Sequence, residues 1–365
     1  MKSTTRAAVA LCAAVLPLVV GASAASAAPS PDRASSTWLS RQLDQGLVHN
    51  DQYDFDDYGL TADVAFALDA TGHRAGAVQD IRRALARHVD SWTTGVDFGS
   101  ADVYAGSVAK AVVVAQVTGA NPRSFGGVDL VKRLNARVAT EAPIVGRIQD
   151  RAADDFANTI GQAFAVRGLA KARSARADEA LRFLLKQQCD AGYFRLSFAK
   201  PGAAAQDCDA GRKATTSAPD TDVTALALLS LRTLKNPSRA VRTAMSDAVA
   251  WLKRHQQDNG SFGGGPETEK ANANSTGLAA WVLGEAGACR PARQAARWVA
   301  GLQVAGDVAG TPLAGERGAI AYDRAAMRAA KRDGIGVEQR DQWRRATAQA
   351  APGLAYLSLS ACRNG

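Results

Sequence analysis

The sequence is short of aromatic residues and of long apolar runs. Aromatic side chains make up 6% of the 365 residues. This fraction argues against a carbohydrate cleft walled by stacked rings and implies a mostly aliphatic interior. The apolar run at 7–20 is shorter than the ~20 residues that span a bilayer, and no later run of apolar residues is longer. With 47% apolar and 22% charged residues the chain is nevertheless able to bury a sizeable core, which excludes a disordered protein.

The first 27 residues are predicted to be a secretory signal peptide. Lys2 and Arg6 precede the apolar run, and small residues follow it as far as Ala27. We therefore expect residues 28–365 to form the mature protein, which would be secreted rather than embedded in a membrane.

Closely spaced cysteine and histidine pairs are missing as well. The mature chain has no CxxC motif and no two histidines four residues apart, so neither a metal site nor a cofactor is expected. Export leaves an even number of cysteines in a compartment where thiols pair. Of the three possible connectivities we favour Cys189 with Cys208, which closes a polar loop, and Cys289 with Cys362, whose neighbouring residues look equivalent.

One sequence template recurs six times along the mature chain. It consists of a threonine or small residue, an alanine or leucine four positions later, a bulky residue five later and an aliphatic residue seven later. The template segments are nearly free of charge, which is typical of helices covered on all sides. Amphipathic, arginine-rich segments lie between them. The template starts at Thr61, Ser107, Thr159, Thr224, Thr276 and, less faithfully, Ala351, and the amphipathic segments are 77–89, 128–138, 177–188, 241–257 and 292–303.

This alternation predicts the fold. Six buried helices and six amphipathic helices, beginning near Trp38, remove their exposed edges only by curling into a ring. We therefore expect an all-α protein, a single (α/α)6 toroid of inner and outer helices. Residues 28–365 would form one domain, because a closed ring has no internal boundary.

The predicted joints between outer and inner helices carry a further motif. Residues 188–194 and 256–262 both have the pattern Q-x3-G-x-F, and Gln42 and Gly46 repeat its spacing. The glycine supplies the positive φ that ends a helix, and the glutamine amide is able to bond free carbonyls there. The motif resembles the Q-x3-G-x-W repeat of the terpenoid cyclase and protein prenyltransferase toroid superfamily, which includes squalene cyclases and cobalamin carriers. The resemblance implies a scaffold that enzymes and carriers share.

The residues just before each inner helix are the candidate site. In a toroid the N-terminal ends of the inner helices point to one mouth, so these residues converge there. They are acidic or amide residues that either cap the helices or are gathered to bind a ligand. The candidate ligand-binding residues are Asp154, Asp155, Asp220, Asp222, Asn272 and Asn274.

An acidic run offers an alternative, catalytic interpretation. Asp54, Asp56 and Asp57 match the D-x-D-D motif with which the resembling class II terpene cyclases protonate an alkene. A glycan-active (α/α)6 enzyme that uses two mouth carboxylates is a further alternative. The function that we favour is a secreted toroid that binds a ligand at its mouth without a demonstrable catalytic set.

Two loops and the charge distribution complete the expectations. Gly263, Gly264 and Gly265 form a loop that would overhang the mouth, and residues 201–219 would form a flap held by a disulfide. The expected partner is a small molecule or an anionic polymer of the cell envelope. Nucleic acid is not expected, because the basic residues behind the net charge of +9 are dispersed over the outer helices.

Overall fold

The structure is a computed structural model, and it describes residues 29–211 and 217–363. The predicted signal peptide lies outside the described residues. Two short strands, β1 (His49–Asn50) and β2 (Phe55–Asp56), pair antiparallel. The α-helices are α1 (Pro31–Ser40), α2 (Tyr58–Thr71), α3 (Ala75–Arg87), α4 (Val89–Thr93), α5 (Ala105–Val117), α6 (Leu130–Asn135), α7 (Thr159–Lys171), α8 (Ala177–Lys186), α9 (Thr221–Arg232), α10 (Arg239–His255), α11 (Ala273–Glu285), α12 (Cys289–Ala300), α13 (Arg324–Asp333), α14 (Val337–Ala350) and α15 (Leu359–Arg363).

The predicted toroid is confirmed. Along the chain α2, α5, α7, α9, α11 and α14 each pack against the next, and α14 returns to pack against α2. The first five inner helices, α2, α5, α7, α9 and α11, bury half or more of their positions, because their sequences are mostly apolar, whereas α14 buries only positions in its second half, from Trp343 to Ala350. The outer layer is formed by α1, α3, α6, α8, α10 and α12, which bury one apolar stripe and expose their arginines.

The two ends of the chain join directly. The Asn50 side-chain amide donates to the Asp341 carboxylate at 2.5 Å, and the Arg344 guanidinium donates to the His49 carbonyl at 2.6 Å. Trp38 of α1 is fully buried, and its indole nitrogen donates to Glu316 at 2.7 Å. Hydrogen bonds between residues almost 300 positions apart in the chain therefore close the ring.

A glycine at each regular joint touches the outer helix of the following repeat. Gly192 has φ +104°, and a Cβ added there would lie 2.5 Å from the Asp247 carbonyl oxygen of α10. The adjacent Gln188 amide donates to the Gly192 and Ala244 carbonyls, both at 2.9 Å. The joint thus fastens one repeat to the next as well as ending a helix. The same close approach occurs at Gly46, Gly146, Gly260 and Gly318.

A threonine hydroxyl marks the register of four inner helices. Thr61, Thr224 and Thr276 accept the backbone N–H of Val48, Phe194 and Phe262 at 2.8–3.0 Å. In the last repeat Thr347 accepts from Ile320 at 2.8 Å. The expectation that the sixth inner helix starts at Ala351 is therefore wrong. Residues Ala351–Leu357 form a 3-10 helix that continues α14, and the template begins four residues earlier.

Both predicted disulfides are confirmed. Cys189 is bonded to Cys208, which ties the 188–194 joint to the following insertion, and Cys289 is bonded to Cys362. Between the joint and the insertion, Arg195 is fully buried and donates to the Gln187 side chain at 2.9 and 2.8 Å. Among the described residues no helix is long and apolar enough to cross a membrane.

Candidate functional site

All six inner helices line a chamber at the centre of the ring. Its volume is about 210 Å³, and Phe66, Phe164 and Trp281 supply aromatic faces to a wall that is otherwise mainly aliphatic. The Phe66 and Phe164 rings are stacked with their centroids 5.6 Å apart. A second space of about 240 Å³ shares Phe66, Arg167, Leu229 and Trp281 with the chamber and leads to the C-terminal ends of the inner helices. An apolar cavity of about 150 Å³ is already large enough for benzene.

Three charged residues interrupt the apolar wall of the chamber. Lys110 pairs with Asp63 at 2.7 Å and also donates to the Gly59 carbonyl at 2.8 Å. Arg167 contributes a third charge at the junction of the two spaces. The chamber is thus apolar along most of its wall and carries fixed charges at two places.

At the end of the ring where the inner helices begin, Asp220 directly precedes α9 and Asp222 is its second residue. Asp220 caps the helix by accepting from the backbone N–H groups of Asp222 and Val223 at 2.9 and 3.1 Å. The glycine-rich loop predicted to overhang the mouth covers both carboxylates. A Cβ added to Gly264 would lie 3.1 Å from Asp222 Oδ2, and one added to Gly265 would lie 2.4 Å from Asp220 Oδ2. Only glycine therefore lets this loop lie so close to the two acids.

Several polar atoms beside Asp222 are buried without a partner. Asp222 Oδ1, Asn274 Oδ1 and Ser275 Oγ make no hydrogen bond to any described residue. Asp222 and Asn274 occupy the second positions of α9 and α11, one turn before Leu226 and Leu278, which line the chamber. We name Asp222, Asn274 and Ser275 the mouth cluster. Because buried polar groups are nearly always satisfied, this cluster is suited to a ligand with hydrogen-bond donors.

Burial also changes the protonation of these acids. Removal from water, with a smaller contribution from the neighbouring Asp220 carboxylate, raises the pKa of Asp222 to about 7. The Ser275 hydroxyl is close enough to oppose this shift, although it does not make a hydrogen bond of normal geometry. Burial raises the pKa of Asp220 and of Tyr322 as well, and Asp222 adds to the effect on Tyr322. Near neutral pH, Asp222 is therefore able to accept or to donate a proton.

The acidic run before α2 has a different environment. Asp57 caps α2 by accepting from the Leu60 N–H at 2.7 Å, and it also pairs with Arg345. Asp56 contacts His49 at 3.0 Å and raises the pKa of that imidazole. The Asp54 side chain is 98% exposed. Asp54, Asp56 and Asp57 do not line the chamber, and their contacts are those of a cap and surface ion pairs.

The remaining predicted residues are divided between capping and exposure. Asp155 pairs with the buried Arg147 at 2.7 Å, whereas Asp154 is exposed. Asn272 caps α11 by accepting from the Ser275 N–H at 2.9 Å. Of the six predicted ligand-binding residues, Asp220, Asp222, Asn272 and Asn274 thus lie at the N-terminal ends of the adjacent helices α9 and α11.

The charges of the chamber were not predicted from the sequence. Lys110 is the one charge in α5, and Asp63 and Arg167 lie within the apolar stretches of α2 and α7, whose other charges, Asp69 and Lys171, lie near the helix ends; that contrast was the available signal. Exposed aromatic residues in the segments that precede α2, α5 and α7 were not predicted either. They are Tyr53, Phe55, Phe98 and Phe156.

Comparison with known proteins identifies the fold. No family model and no curated protein matches the sequence. Among solved structures, the type II terpene cyclase MstE from Scytonema shares 15% identity with a TM-score of 0.60, over 89% of this chain and 96% of that one. An unsaturated glucuronyl hydrolase specific for heparin shares 8% identity with a TM-score of 0.58, over 89% and 95% of the two chains. A protein from Actinoplanes shares 16% identity with a TM-score of 0.56, over 89% and 98%. The chain thus has the α/α-toroid fold found in terpene cyclases and glucuronyl hydrolases.

Proposed function

We propose that this protein binds a small ligand in the lumen of the toroid, which consists of the chamber and the adjoining second space. The apolar body of the ligand occupies the chamber. A polar group of the ligand, at the end of the chamber nearest the N-termini of the inner helices, bonds to the mouth cluster. The observation that carries the proposal is the chamber of about 210 Å³, to which every inner helix contributes. Binding sites of this kind combine apolar walls with a few convergent polar groups, as found here.

The proposal extends the sequence-based expectation of a ligand at the mouth. Asp222 and Asn274 bond the polar group, while Asp220 and Asn272 hold the two helix ends in place through their capping bonds. The paired loop glycines keep solvent from the carboxylates on the outer side. Secretion fits such a role, since an exported carrier meets ligands outside the cell.

Filling the lumen tests the proposal. Leu229 lines both spaces, so Leu229→Trp is expected to occupy the volume that a ligand needs. Titration calorimetry with octan-1-ol as the probe should show binding to the unmodified protein and at least about tenfold weaker binding to this variant. Leu185→Trp is the matched control, because Leu185 lies on the outer helix α8, and it should bind the probe normally. Equal binding to both variants would contradict a site in the lumen.

Proton-transfer catalysis is the second candidate function. It is favoured by Asp222, whose pKa of about 7 and neighbouring carboxylate suit a general acid near neutral pH. Incubation with linear isoprenoids and with heparin oligosaccharides, followed by mass spectrometry, tests the two reaction classes. A product that disappears in Asp222→Asn but persists in Asp56→Asn and Asp57→Asn would assign the reaction to Asp222. The reverse pattern would assign it to the acidic run before α2.

A further inference from the structure

Arg167 is a cation without a partner inside the lumen. It lies on α7, three residues after Phe164, and lines both the chamber and the adjoining space. Within the described residues 29–211 and 217–363, its guanidinium makes no ion pair and no hydrogen bond. Burial lowers the pKa of Arg167, and Asp69 opposes that shift from beyond ion-pair distance.

The other charges near the lumen are either paired or exposed to solvent. Lys110 is held by Asp63 at 2.7 Å, and Glu285 accepts from the Tyr356 hydroxyl at 2.6 Å. Arg232 and Asp69 lie at the rim of the second space, where they are exposed to solvent. Arg167 is therefore the charge best placed to receive a group that enters the lumen.

Arg167 is partly buried, and removing an arginine from water costs free energy unless something pairs with it. The planar guanidinium presents parallel N–H donors that match a carboxylate, and such charge-assisted bonds are among the strongest in proteins. The rings of Phe66, Phe164 and Trp281 lie along the same walls. The site thus combines a cationic anchor with an apolar surface.

We propose that Arg167 binds the carboxylate of an amphiphilic ligand whose apolar part lies in the chamber. This inference rests on the proposed function, because it requires a ligand in the lumen. Ile160 is the second residue of α7, at the same level of the ring as Asp222 and Asn274. Arg167 follows Ile160 by seven residues, or about 10 Å along the helix. The mouth cluster and Arg167 therefore bind opposite ends of the ligand.

Three probes that differ only in their head group test the proposal. Octanoate, octan-1-ol and octylammonium would be titrated calorimetrically into the unmodified protein, Arg167→Met and Arg182→Met. Methionine removes the charge while keeping an unbranched apolar side chain. Arg182 lies on the exposed face of α8, so its replacement changes the net charge equally at a distance from the lumen.

The expected result is a carboxylate preference that depends on Arg167. The unmodified protein and Arg182→Met should bind octanoate at least about tenfold more tightly than octan-1-ol, and octylammonium most weakly. Arg167→Met should lose that preference while still binding octan-1-ol. Arg167→Gln serves as a second variant, and cooperative thermal unfolding of each protein confirms that it is folded.

Results that contradict the role of Arg167 differ from those that contradict ligand binding in the lumen. If the unmodified protein binds octan-1-ol as tightly as octanoate, or if Arg167→Met keeps the carboxylate preference, the role of Arg167 is overturned while ligand binding in the lumen stands. Tighter binding of octylammonium than of octanoate would overturn it in the same way, since the carboxylates of Asp69 and Asp222 would then outweigh Arg167. If the unmodified protein binds none of the three probes, the proposed function falls, and the role of Arg167 falls with it.

Discussion

At the scale of single residues, the site is defined by buried polar groups that the fold leaves unsatisfied. Asp222, Asn274 and Ser275 carry such atoms at the mouth, and the partly buried Arg167 makes no ion pair with any residue that the structure describes. Groups of this kind cost stability and persist where a ligand or a reaction uses them. They distinguish the mouth cluster from Asp54, Asp56 and Asp57, whose contacts are local.

The protonation of Asp222 predicts a particular pH dependence of stability. Its pKa is about 7 in the folded protein, against 3.8 for an ordinary aspartate side chain. Between these values the folded state binds more protons than the unfolded state, so Asp222 makes the protein less stable as pH rises from about 4 to about 7. Asp222→Asn should therefore be more stable than the unmodified protein at pH 8, by up to about 4 kcal/mol, and within about 1 kcal/mol of it at pH 4.

Urea denaturation of both proteins at pH 4 and pH 8 measures this difference. Comparing the two proteins at each pH cancels the titration of all other groups. A difference in the free energy of unfolding that is the same at both pH values would show that folding does not shift the pKa of Asp222.

The sequence revealed some of these residues and concealed others. Asp222 and Asn274 were predicted because they directly precede or begin an inner helix, which a one-dimensional pattern records. Ser275 and Tyr322 join the site only through packing between neighbouring repeats. The role of Arg167 could not be predicted, because a charge in a mostly apolar helix has the same sequence pattern whether its side chain faces a lumen or an ion-pair partner.

At the scale of the elements, the joint between outer and inner helices organises the fold. Its glycine brings the turn against a carbonyl of the next outer helix, and its glutamine amide bonds to that helix. Gly46, Gly192 and Gly260 could be predicted from the Q-x3-G spacing. Gly146 and Gly318 make the same close approach to an outer helix, but no glutamine lies four residues before either of them. Only the structure therefore identifies these two joints.

Alanine substitution separates the two constraints on the joint glycine. Gly192 has φ +104° and an added Cβ would lie 2.5 Å from the Asp247 carbonyl oxygen, whereas Gly72 has φ +67° and open space around it. Gly72→Ala should cost about 1 kcal/mol through its backbone conformation alone. Gly192→Ala should cost about 3 kcal/mol, because the turn must also move away from α10.

The free energies of unfolding from urea titrations provide the test. Equal losses for the two variants would show that the joint does not hold α10 closely.

The sixth repeat shows where periodicity reaches its limit. The template was placed at Ala351, but Thr347 is the residue that accepts the joint N–H. Thr347 is followed by Ala351 and Leu354 at the template spacings, while Pro352 replaces the bulky residue. The chain tightens there into the 3-10 helix Ala351–Leu357. A register set by one hydrogen bond cannot be read from a degenerate apolar pattern alone.

At the scale of the whole molecule, ring closure creates the lumen. The inner helices were predicted to curl into a ring because their surfaces are apolar all round, and the return of α14 to α2 confirms this. The volume of the lumen and the residues that line it could not be predicted, since both depend on which side chains of six separate helices face inward. Closure also brings Arg345 of α14 to Asp57, the cap of α2.

Zero-length cross-linking tests ring closure most directly. In Arg345→Lys, the new amine should reach the Asp57 carboxylate, so carbodiimide treatment followed by peptide mass spectrometry should detect an amide between positions 57 and 345. The pair of Lys110 and Asp63, 2.7 Å apart, is the internal positive control. A cross-link between positions 63 and 110 without one between 57 and 345 would show that the first and last inner helices are apart, and the lumen with its proposed ligand would not exist.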